Sequence, residues 1–188
     1  MRMTAARRAI AASLLAVTTA AILACAASPS LDAADAATRA GPTARQIAAA
    51  VNTAERSSSL WATINACTRT RNGRVLVGFR GQMPALSFAT RVQMVMSAYY
   101  YDASTRSYVQ IADSSHTLSL GVLSSGTIQA GLRYTIAAPT RIEGQIVFRW
   151  LRDGVVLGSV TRTTTGGHTG VQSATPAGHS AATCSVTR

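Results

Sequence analysis

Paired carboxylates are one instrument of general acid and base catalysis, because two such groups can have their pKa values held apart. This chain supplies few. Seven of its 188 residues are Asp or Glu, and five of these remain if export removes everything through Asp35: Glu55, Asp102, Asp113, Glu143 and Asp153. Asp102 and Asp153 read as turn residues, Asp113 adjoins a Ser-rich turn, and Glu55 falls in a linker. Only Glu143 lies on an expected strand, facing solvent. Serine is plentiful, but no G-x-S-x-G elbow occurs, and the runs 57–59, 114–115 and 124–125 fit turns and linker. Since a triad is defined by geometry and not by order, a hydrolase using His116, His168 or His179 stands as the alternative reading. His168 and His179 share one loop and each follows a glycine, which makes them candidate zinc or copper ligands, although their spacing matches no ligand motif. No cofactor is expected.

The basic residues are more suggestive. All 18 are arginine, against seven acids, for a net charge of +11. A GC-rich genome favours arginine without any selection for function, so the total matters less than the placement. Between Glu55 and Asp102 there is no acidic residue, whereas Arg56, Arg69, Arg71, Arg74, Arg80 and Arg91 all occur there. Alternation puts Arg74, Arg80 and Arg91 on the non-core faces of their strands, where they would form an electropositive sheet face. Such a face attracts polyanions through charge, with strong salt dependence. Tyr99 and Tyr101 also fall opposite the core and are candidate contacts for carbohydrate or protein. Tyr100, Trp61 and Trp150 are expected in the core.

The compartment follows from the N-terminus and the cysteines. Arg2, Arg7 and Arg8 precede an unbroken small and apolar stretch, 9–24, which has the form of a secretory signal peptide over 1–25. Ile22-Leu23-Ala24-Cys25 resembles a lipobox, which would make Cys25 a lipid anchor. Cleavage at an A-x-A site would instead release the protein, and both routes remain open. Either leaves Cys67 and Cys184, an even pair in an oxidising compartment. They would close a loop of 184 − 67 = 117 positions, worth about 4–5 kcal/mol by chain entropy.

The elements that must position these groups are strands. Residues 26–59 read as an Ala/Ser/Thr-rich linker, with a short helix over 44–56 capped by Thr43. From residue 60 onward, period-two alternation is interrupted by turn signals. Strands are expected over 60–68, 74–80, 88–101, 108–111, 116–122 and 127–136. In the second, Val75, Val77 and Phe79 face inward; in the third, Val92, Met94, Met96 and Ala98 do so. A hairpin follows over 142–164, turning at Asp153-Gly154. Then come a flexible loop, 166–178, and a closing strand, 181–187. The expected fold is all-β: one antiparallel, immunoglobulin-like sandwich of seven to eight strands over 60–188, with a barrel or jelly roll as the alternative.

The run Leu60-Trp61-Ala62-Thr63-Ile64-Asn65-Ala66-Cys67, the segment Gly78-Phe79-Arg80-Gly81-Gln82-Met83-Pro84 and the closing Ser180-Ala181-Ala182-Thr183-Cys184 resemble secreted actinobacterial β-sandwich proteins. The resemblance covers about 60–188 and implies an exported sandwich, with no catalytic residue carried over. The expected function is therefore a non-catalytic extracellular binding or surface-display module. Its expected partner is a cell-envelope polyanion or an envelope protein, and no motif for sequence-specific nucleic-acid recognition is present.

Overall fold

The computed structural model describes residues 41–137 and 141–185. The signal segment, its candidate anchor Cys25 and the linker through residue 40 lie outside the described residues. From Pro42 onward the chain forms one compact unit. Helix α1 (Ala44–Glu55) opens it, and its start is set by a reciprocal cap. The Thr43 hydroxyl accepts from the Gln46 amide, and the Gln46 side-chain oxygen accepts from the Thr43 N–H at 2.8 Å.

Nine strands follow among the described residues, one or two more than expected. They are β1 (Trp61–Arg69), β2 (Val75–Pro84), β3 (Thr90–Asp102), β4 (Ser107–Gln110), β5 (His116–Leu123), β6 (Thr127–Ile136), β7 (Arg141–Arg152), β8 (Val155–Thr163) and β9 (Cys184–Ser185). Sheet A has the order β1-β2-β6, and sheet B the order β4-β3-β7-β8, with β5 also on β3 and β9 also on β7. All these pairings are antiparallel. The β7–β8 hairpin turns where expected, with Asp153 and Gly154 both at positive φ.

The two sheets meet face to face as a sandwich. Val77, Phe79 and Met83 of β2 interlock with Val92, Met94, Met96 and Ala98 of β3 and Ile146, Phe148 and Trp150 of β7, all essentially inaccessible to solvent. Strict alternation does this: each strand sends every second side chain inward, and burying one such side chain contributes about 1.5–3 kcal/mol. Trp150 can be buried whole because its indole N–H donates to the Pro84 carbonyl at 2.9 Å.

Helix α1 packs against β8 of sheet B. Val51 sits directly on Gly158 of β8, where a methyl group would collide with the valine branches, and Arg162 donates to the Glu55 carbonyl at 2.6 Å. The helix expected in a linker is thus part of the domain. The expected disulfide, Cys67–Cys184, is present with its Cα atoms 5.5 Å apart and joins the first strand to the last.

Two expectations about the elements are corrected. Among the described residues the closing strand begins at Cys184 and not at 181, because Ala181 turns its backbone groups to Ile64 of sheet A (2.9 and 3.1 Å) before Cys184 reaches β7. Tyr100 is not core: it stands 36% exposed. Alternation does aim it inward, but the space on that side of β3 is open at this end of the strand. Its ring instead helps to wall an open cavity of about 680 Å3 with Val109, Ile111 and Ile136.

Candidate functional site

Between β8 and β9 the chain forms a strap, 164–183, which departs from the expectation of a flexible loop. At its start the Thr165 N–H donates to the Ala62 carbonyl at 2.8 Å, and near its end Ala181 pairs with Ile64, so the open edge of β1 is occupied. Its middle crosses the outer face of sheet A. Asn65 sits at a bulge in β1; its side-chain amide donates to the carbonyls of Gln172 and Ser173, and its own carbonyl accepts from the Thr175 N–H at 2.7 Å. Gln129 of β6 bonds Gly170 and the Gln172 N–H, each at 3.0 Å. Irregular backbone is held in place here by side-chain amides.

The strap also fixes His168. Its ring stacks on Trp61 with centroids 4.8 Å apart, its Nε2 lies 2.8 Å from the Thr165 hydroxyl, and its N–H donates to the Ser180 hydroxyl. Burial holds its pKa below the ordinary histidine value. His179 sits further along the strap with a buried, unpartnered Nε2, and His116 is on β5 near Tyr134. Among the described residues no three His, Cys, Asp or Glu side chains are grouped to hold a metal ion.

On sheet A, alternation carries three arginines to one outer face. Arg74 immediately precedes β2 instead of lying within it, and donates to the Thr135 carbonyl at 3.3 Å. Arg80 is opposite Gly131, and Arg133 is opposite Gly78, two positions along β2 from Arg80. The Arg80 guanidinium lies over Gly131, where even a β-carbon would come within 3.0 Å of Nε. That Nε is buried and has no hydrogen-bond partner among the described residues. Burial first, and the like charge of Arg133 second, lower the Arg80 pKa. Neither arginine makes an ion pair among the described residues.

Arg91 does not belong to this face. It lies on β3, paired with Leu151 and Val122, so its outward direction is the outer face of sheet B, on the other side of the sandwich. Alternation gives the parity of a side chain within its strand and does not say which sheet that strand joins. Arg133 was missed for the complementary reason. The alternation of β6, with Leu132 and Tyr134 inward, marks Arg133 as outward, but only the β2–β6 pairing places it beside Arg80.

Tyr99 and Tyr101 do share the outer face of sheet B, as alternation predicted. The Tyr99 hydroxyl donates to Gln145 at 3.2 Å, Tyr101 meets Tyr108 edge-on, and Arg141 lies 5.3 Å over the Tyr101 ring. The five carboxylates fall on separate elements. Asp102 accepts from the Ser104 hydroxyl and N–H, which lower its pKa. Asp113 and Asp153 occupy positive-φ turns, and Glu55 ends α1. Glu143, on β7, is half-buried and has its pKa raised by that burial.

No family model matches this chain, and no curated protein matches it. Among solved structures, the crystal structure of a putative beta-galactosidase from Bacteroides fragilis is similar over 55% of this chain and 15% of that chain, at 13% identity and a TM-score of 0.36. The similar region is thus a small part of that protein's length.

Proposed function

We propose that this is an exported, non-catalytic binding module of the immunoglobulin-like kind, which holds an anionic polymer of the cell envelope on the outer face of sheet A. The observation that carries the reading is the convergence of Arg74, Arg80 and Arg133 on that face, with no neutralising carboxylate paired to them among the described residues. The immunoglobulin-like assignment is supported by strand order. β1-β2-β6 corresponds to A-B-E, and β4-β3-β7-β8 to C′-C-F-G, of that sandwich plan. The disulfide departs from the plan, since it links the first strand to the last and not B to F. Export is supported by the disulfide and by the form of residues 1–25. Among the described residues no helix is long and apolar enough to cross a membrane. Attachment through a lipidated Cys25 would tether the module at the membrane's outer surface.

The test is capture of poly(glycerol phosphate) by the immobilised, oxidised mature chain across a salt series. If three arginines each displace a counterion, log affinity should fall against log salt with a slope of about −2 to −3. Replacing Arg74, Arg80 and Arg133 together with glutamine should abolish capture. Capture that is indifferent to salt would refute the reading.

A further inference from the structure

The arginine face is not uniform. Beneath the strap lies a recess of about 230 Å3 whose walls include Asn65, Arg80, Gly131, Arg133 and Ser173. That is smaller than the roughly 300–1,000 Å3 of pockets for drug-sized molecules, and suits a compact group. We infer that the recess binds one phosphate-type oxyanion, gripped by the guanidinium groups of Arg80 and Arg133 and by the Ser173 hydroxyl. This inference rests on reading sheet A as an anion-binding face and names the chemical group recognised there.

Four observations converge on it. The Arg80 Nε–H is buried without an acceptor among the described residues, whereas buried donors are almost always satisfied because leaving one unpaired is costly. An oxyanion supplies the acceptor. Arg80 and Arg133 are like charges held close enough to perturb one another, and an anion between them turns repulsion into attraction. The floor is Gly131, where the missing side chain leaves the guanidinium room to lie against the strand. The roof is already drained of competing acceptors, since the Gln172 and Ser173 carbonyls both accept from the Asn65 amide, while the Ser173 hydroxyl has no partner of its own among the described residues. Inorganic phosphate, a phosphodiester of an envelope polymer and a phospholipid headgroup share this chemistry.

The experiment is titration calorimetry of the oxidised mature chain with inorganic phosphate and with glycerophosphoglycerol, at fixed ionic strength. One saturable site is expected, weakened about tenfold or more in Arg80→Gln and in Arg133→Gln and within about twofold of the parent in Arg74→Gln. Arg80→Lys keeps the charge but loses the fork and the Nε donor, so it should restore only part of the affinity. Thermal melting of each variant checks its folding; Arg80→Gln should melt no lower than the parent, since it removes an unpaired, half-buried charge. Equal loss in Arg74→Gln and Arg80→Gln would overturn the recess in favour of diffuse attraction. Polymer capture with no saturable binding of either small anion would overturn the recess and leave the proposed function standing. Saturable binding without polymer capture would support the recess and refute the polymer as its ligand. Displacement by phosphate of the chain from poly(glycerol phosphate), or from phosphatidylcholine vesicles carrying phosphatidylglycerol, supports the site and identifies which source it serves.

Discussion

Breaking the Cys67–Cys184 bond tests how the strap, and the recess beneath it, is kept in place. The bond closes a loop of 117 positions. Chain entropy then assigns it about 5 kcal/mol through restriction of the unfolded ensemble, which is comparable with the whole stability of a marginal domain. Among the described residues β9 adds the pairs Ile142–Cys184 and Arg141–Ser185 to sheet B. Urea unfolding should be followed in the oxidised protein, in the protein reduced under native conditions, and in Cys67→Ala/Cys184→Ala. The reduced arm keeps both sulfurs, so its difference from the double variant isolates the cost of emptying the Cys184 site, which is 1% exposed. Two tryptophans report on different places: Trp150 on the core, and Trp61 on the strap through its stack with His168. A loss of about 5 kcal/mol in the reduced arm is expected, with a drop in melting temperature of about 15 °C. Faster hydrogen exchange at the Thr175 and Ala181 amides, which bond Asn65 and Ile64, should accompany it. A reduced protein within about 1 kcal/mol of the oxidised one would refute the entropic account. It would mean that the strap's own contacts, and not the cross-link, carry its stability.

Three further outcomes are expected. Phe148→Ala empties a fully buried site between the sheets and should cost about 3–5 kcal/mol, read as a lower urea midpoint with unchanged slope. Because burial depresses the His168 pKa, the folded state resists protonation there. Its stabilising contribution is full above about pH 6.5 and is lost as pH falls below that value. Comparing melting temperatures between about pH 7.5 and about pH 5, His168→Gln should show a smaller decline than the parent; equal declines would refute the assignment. Arg91→Gln should leave poly(glycerol phosphate) capture unchanged, since Arg91 lies on sheet B, and a loss equal to that of Arg80→Gln would refute the single-face reading.

Local features of the chain were legible where local chemistry decides them. The alternation of Val75, Val77 and Phe79, the Asp153-Gly154 turn, the Thr43 cap and the even cysteine pair each depend on neighbours in sequence or on counting, and each is found as expected. What escaped depends on contacts between distant segments. Period-two alternation aims Tyr100 inward but cannot reveal the open cavity that it lines with Ile136 of sheet A. It puts Arg74, Arg80 and Arg91 outward but cannot divide them between two sheets. Arg133 becomes a site residue only through a pairing with β2 across roughly fifty residues of chain. The strap has no period at all: its order comes from Asn65, Gln129 and Thr63 bonding irregular backbone and side chains, which leaves no mark in hydrophobic pattern.

The covalent anchor gives the strap one more property, which concerns proteolysis. The strap is the chain's only path from β8 to Cys184, yet Cys184 is bonded back to β1. A protease that cuts once within 166–180 therefore produces two polypeptides but releases neither. The nicked molecule gains one water and remains a single covalent species until it is reduced. The crossing can be severed without shedding the segment that carries Cys184.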